Sequence, residues 1–76
     1  GADLTDADLV NADLAGADLR GASMSNADLR NVNLAGIRWQ QIRNIEKANI
    51  HGVRNAPAGF VEWALAHKAV SVAGEE

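Results

Sequence analysis

Apolar and polar positions alternate along this chain in units of five. Written in fives from Ala2, the blocks read ADLTD, ADLVN, ADLAG, ADLRG, ASMSN, ADLRN, VNLAG and IRWQQ. The first three residues of a block run apolar, polar, apolar, the alternation of a short extended segment with one side turned inward. The fourth and fifth are mostly polar or small, and the fifth is usually Asp, Asn or Gly. Those types tolerate left-handed backbone and bond their own main chain, so each block predicts three extended residues and a corner. An α-helix would spread residues five apart around its whole circumference and leave no apolar stripe. A chain that turns the same way every five residues, with Ala and Leu inside, winds into a coil. Its successive turns stack through backbone hydrogen bonds at ~4.8 Å spacing.

The register slips after Trp39. Ile42 holds a first position, but strict counting puts the polar Asn44 at the centre of that block, with Ile45 beside it. A clean block returns as ANIHG from Ala48, one residue late, so one residue is inserted between Gln41 and Lys47. A bulge or outward loop is expected there. Beyond residue 56 the pattern changes again. Pro57 suits a first helical turn, and Phe60, Val61, Trp63, Ala64, Leu65 and Lys68 fall at helical spacing. The expected organisation is a coil over residues 1–56, a capping helix over 57–68 and a flexible tail over 69–76. Phe60 and Trp63 are expected to close the last turn near Ile45, Ile50 and Val53, since stacked repeats need their open apolar ends covered. The chain opens already in register at Gly1, so a longer parent, or failing that another chain, is expected over that end.

The tandem blocks resemble the pentapeptide-repeat family, whose motif is A(D/N)LXX, over about residues 2–56. The string P-x-G-F-x-x-W-A is also similar to tails in some of its members. The resemblance implies an all-β solenoid: a right-handed quadrilateral β-helix, four blocks to a turn, here with a short C-terminal α-helical cap. It implies that Leu4, Leu9, Leu14, Leu19, Met24, Leu29, Leu34 and Trp39 are the inward central residues. Ala2, Ala7, Ala12, Ala17, Ala22, Ala27, Val32 and Ile37 are then their small inward partners. In such a turn residues twenty apart lie one above another, so Asp18 is expected against Arg38, and Asp13 below Asn33 and Arg54. Asp8 and Asp28 form a like-charge step, with Asn49 beyond.

Composition sharpens this picture. Of 76 residues 47% are hydrophobic and only 4% aromatic, so the core is narrow and built mainly from Ala and Leu. There is no cysteine, hence no disulfide and no thiolate chemistry. No apolar run approaches the ~20 residues of a membrane span, and no charged-then-apolar leader opens the chain. The net charge of −3 divides unevenly: residues 1–36 hold six Asp against Arg20 and Arg30, while 37–76 are nearly neutral. Direct nucleic-acid binding is not expected, because it needs a basic face.

No catalytic constellation is apparent. The Asp residues lie on a convex, regular surface, Ser23 and Ser25 have no base at a useful spacing, and His51 and His67 are separated by the start of the cap. No enzyme activity, cofactor or metal is expected, and cytoplasm is the default compartment. The second-position Asp and Asn are expected to bond backbone amides and shape the corners. The leading expectation is a non-catalytic scaffold or protein-interaction module. Its candidate partner surface is Arg38, Arg43, Lys47, His51 and Arg54, and its partner is a protein. End-to-end self-association through the uncapped N-terminal coil is a further expectation. The alternative is a DNA mimic acting on a type II topoisomerase, an activity known in some relatives, which would need a longer acidic rod.

Overall fold

The second residue of each block is where the chain meets itself. The computed structural model describes residues 1–74. In it Asp3 bridges Ser23, Asp8 bridges Asp28, Asp13 bridges Asn33 and Asp18 bridges Arg38, all parallel and all twenty residues apart. Four blocks therefore complete one turn of a coil. Two bonds tie each bridge, and the fifth-position N–H adds a third at each corner, as Asn11 does to the Arg30 carbonyl at 3.0 Å. The second-position N–H donates back to a first-position carbonyl, as Asn33 does to Ala12 at 3.0 Å. The third-position N–H donates forward to a second-position carbonyl, as Leu14 does to Asn33 at 2.9 Å. The pairing consists of isolated bridges, because each side of the coil offers only three extended residues before the corner.

The corners follow from the fifth residue. Asp6, Asn11, Gly16, Gly21, Asn26, Asn31 and Gly36 all have positive φ, between 62° and 76°. Asp, Asn and Gly enter this region at little cost, which is why they recur there. Gln41 is the exception. The next step is longer by one: Ser23 bridges Asn44, and the N–H groups of Arg43 and Asn44 both point to the Ala22 carbonyl, at 2.9 and 3.4 Å. Arg43 is thus the inserted residue, Asn44 the second-position residue and Ile45 the buried centre.

The interior is a column of stacked apolar side chains. Leu19, Met24, Leu29, Leu34 and Trp39 are buried at the centres, and Ala22, Ala27, Val32 and Ile37 beside them. The first turn packs on one side only, leaving Leu4, Leu9 and Leu14 half-buried and Ala2 exposed.

The coil ends where Asn55 takes a left-handed conformation at a third position. The helix α1, Phe60–Ala66, is shorter than the expected 57–68. Pro57 precedes it rather than opening it: the Pro57 carbonyl accepts from Phe60 N–H at 3.0 Å, and Gly59, at φ 86°, makes the N-cap. A side chain there would meet left-handed strain, so glycine suits the entry. Phe60 is buried and Trp63 half-buried, and both rings pack on Trp39, a partner the sequence had not indicated, with centroids 5.5 and 5.4 Å away.

The chain beyond α1 is not the flexible tail expected of it. Ala69 is buried, and Val70 bridges Asn49 in parallel, donating to Ala48 and accepting from Ile50 at 2.8 Å each. These are the two bridge bonds of a normal coil step. Asn49 then clamps Val72 from its side chain, accepting from the Val72 N–H at 3.1 Å and donating to its carbonyl at 2.9 Å. The helix replaces two blocks, and the chain re-enters the coil in register after it. Glu75 and Glu76, the end of that expected tail, lie outside the described residues.

Candidate interaction surface

The outward carboxylates are occupied with the main chain. Asp3, Asp8, Asp13, Asp18, Asp28, Asn33, Asn44 and Asn49 each accept, through Oδ1, the N–H of the residue two positions on, at 2.9 to 3.3 Å. This is the corner-shaping bond expected of second-position Asp and Asn, repeated block after block.

Two of the acids are also neutralised. Asp18 lies in the column of Arg38 as expected, but its ion pair is with Arg20, two residues on: Nε and NH2 of Arg20 donate to the two carboxylate oxygens at 2.8 and 2.6 Å. Arg30 grips Asp28 in the same way, at 2.8 and 2.7 Å, which offsets the like-charge step against Asp8. Arg20 and Arg30 stand at the corner two residues after the carboxylate, which also accepts their own N–H, so the fork-shaped guanidinium folds back onto it, and this local geometry wins over the column neighbour. The Arg20 bonds hold the Asp18 carboxyl far below the usual carboxylate range, and those of Arg30 lower Asp28. Asp3 is lowered chiefly by its bond from the Thr5 hydroxyl.

The five residues expected to form a partner surface lie on different sides of the coil. Arg38 stands on the Asp18 side and is exposed. Arg43 projects from the insertion on the Ser23 side. Lys47 occupies the next corner at φ 66°. The half-buried His51 brings ring Nδ1 to 3.3 Å from Ser71 Oγ. Arg54, on the Asp13 side, donates from Nε to the Asn31 carbonyl at 3.1 Å. No hydrogen bond among the described residues joins one of the five to another.

One groove does gather several chemistries. A depression of about 560 Å³ lies between the insertion and the C-terminal end of α1, lined by Arg43, Ile45, Glu46, Trp63, His67 and Lys68, among others. His67 stacks on Trp63 at 4.5 Å between ring centroids and 30° between planes. Its Nδ1 lies 2.8 Å from the Trp63 carbonyl, which can only accept, so Nδ1 carries a proton. Arg43 and Lys68 make no ion pair among the described residues. Trp63, His67 and Lys68 were not legible as a site. The available signal was the four-residue spacing of Trp63 and His67, which sets them on one face of a helix.

Among the described residues no group of three His, Asp or Glu side chains could hold a metal ion, and no helix is long and apolar enough to cross a membrane.

Parallel steps every four blocks, corners fixed by short polar side chains and a narrow aliphatic interior define a protein built from stacked five-residue repeats. The family model for pentapeptide repeats (8 copies) matches residues 1–36, and that stretch is a pentapeptide-repeat segment. No curated protein and no solved structure matches the chain.

Proposed function

We propose that this chain is a right-handed quadrilateral β-helix acting as a non-catalytic scaffold and protein-interaction module. The observation that carries this reading is how the polar side chains are used. The second-position Asp and Asn are spent on corners, and the N-terminal arginines on ion pairs, which suits a rigid support rather than reaction chemistry. The cations that make no ion pair among the described residues, Arg38, Arg43, Lys47, Arg54 and Lys68, all fall within residues 37–76, where a partner of opposite charge would be recognised.

The alternative, a DNA mimic directed at a type II topoisomerase, draws less support. Mimicry of a phosphate array needs free negative charge at regular intervals, and Arg20 and Arg30 neutralise Asp18 and Asp28. The described residues extend 33 Å along their longest axis.

A display screen for protein ligands of the whole chain tests the reading. The expected ligand loses binding when Arg43 and Arg54 are both reversed to Glu. Ligands indifferent to that change, or inhibition of gyrase supercoiling by the chain, would contradict it.

A further inference from the structure

The replacement of two blocks by α1 leaves a step of the coil unfilled. In every complete step a first-position carbonyl accepts from the following turn, and a third-position N–H donates to it. On the side of the insertion the first- and third-position residues are Ile42 and Ile45. The Ile42 carbonyl and the Ile45 N–H have no partner among the described residues, because the chain runs on as α1 beside this place and does not supply the block that would pair with them. Ile37 and Trp39 are left in the same state one side earlier, but there the rings of Phe60 and Trp63 lie against Trp39. Ile42 and Ile45 instead line the open groove. Both residues are largely buried but border the groove, so it offers an incoming chain one free carbonyl acceptor and one free N–H donor among the described residues.

Resting on the interaction-module reading, we propose that this groove binds an extended acidic peptide segment of a partner protein. The segment adds itself as the missing step, donating a backbone N–H to the Ile42 carbonyl and accepting from the Ile45 N–H. Backbone pairing of this kind supplies affinity, and side chains on alternate positions supply selectivity. Selectivity here is for carboxylates. Arg20 and Arg30 each have an aspartate two residues earlier, whereas Arg43 has Gln41 there, because the insertion displaces it from the block pattern. Lys68, in a left-handed turn after α1, faces the same groove. Trp63, half-buried and stiffened by its stack with His67, offers an aromatic surface to an apolar residue of the segment. A groove of about 560 Å³ suits a few residues. A nucleic-acid strand fits less well. Phosphate binding grows with the number of cations along the path, and this groove has two, with Glu46 beside them.

The test is an amide and indole NMR titration of the full chain with three probes: Ac-Asp-Leu-Glu-Leu-NH2, its uncharged counterpart Ac-Asn-Leu-Gln-Leu-NH2, and an oligothymidylate. The acidic peptide is expected to shift the Ile45 amide and the Trp63 indole and to slow exchange at Ile45. The Arg43→Glu, Lys68→Glu double variant should bind it at least ~10-fold more weakly, while Arg38→Glu should match the parent. An Ile45 amide unmoved at saturation, equal binding of the uncharged peptide, or preference for the oligonucleotide would overturn the proposal. A protein ligand that binds the chain without moving Ile45 or Trp63 would sink the groove and leave the module reading standing. A chain that binds neither peptide nor protein would sink both.

Discussion

Trp39 and Phe60 meet edge to face, with ring centroids 5.5 Å apart and planes at 88°. One ring belongs to the last full turn of the coil and the other to α1, so this contact joins repeat and cap. Phe60 is 1% exposed, and its truncation to Ala removes the contact outright. The expected cost is ~3–5 kcal/mol, comparable with the whole stability of so small a domain. Trp63→Ala should cost less, because that ring is only half-buried. Urea melts of the two variants give the order, and light scattering should show Phe60→Ala associating through the uncovered end. Equal melts for Phe60→Ala and the parent would mean that α1 does not close the coil.

Acid should weaken the fold through Asp18. Its carboxyl is held below the ordinary value of 3.8 by Arg20, so in the folded state it stays charged where the unfolded chain would take up a proton. The stability this lends is present in full above the unfolded value and is lost as pH falls towards the folded one. Asp28 acts in the same direction through Arg30. Thermal melts should therefore fall below about pH 4, and Arg20→Gln with Arg30→Gln should flatten that acid limb. The pairs are exposed or partly so, so the neutral-pH melt should move little.

Corner glycines are not equivalent. Gly52 has φ 72°, and a Cβ there would collide with Asn31 Oδ1. Gly16 has φ 76° with open space around it. Gly52→Ala should destabilise by the ~1–2 kcal/mol of left-handed strain, since the exposed Asn31 side chain can swing aside. Gly16→Asn should be nearly silent, since Asn already fills the equivalent corners at Asn11, Asn26 and Asn31. Chemical denaturation distinguishes them.

Deleting Arg43 should restore strict fives, with the block then reading Ile42, Asn44, Ile45, Glu46, Lys47. The shortened chain is expected to fold with stability within ~1 kcal/mol of the parent, because a bulge residue adds no core contact. A melt lowered far beyond that would show that the insertion relieves a strain the corner at Gln41 imposes.

The repeat was legible because its rule is local. An Asp or Asn at the second position bonds two residues on, and an Asp, Asn or Gly at the fifth turns the chain, so each block declares its own shape. The insertion was legible to within a few residues for the same reason, but identifying Arg43 needed the pairing of Asn44 with Ser23. What the sequence hid depends on distant contacts. Nothing local says that Ala69 and Val70 return to the coil, since the helix between them and Val53 breaks the count. Trp39 looks in sequence like one more central residue, and its role under α1 follows from where the cap lands. Column spacing pairs charges twenty residues apart, whereas the ion pairs form within blocks, and only the leftover cations define the groove.

Fold and groove both depend on the register of the coil, and through-hydrogen-bond scalar couplings read that register bond by bond. The Leu14 amide should correlate with the carbonyl carbon of Asn33, nineteen residues on, and the Met24 amide with that of Asn44, twenty residues on. After α1, the Ile50 amide should correlate with Val70. A Met24 amide coupled to Arg43 instead, or an Ile50 amide without a partner, would contradict the placement of the insertion and the return of the chain, and with them the groove.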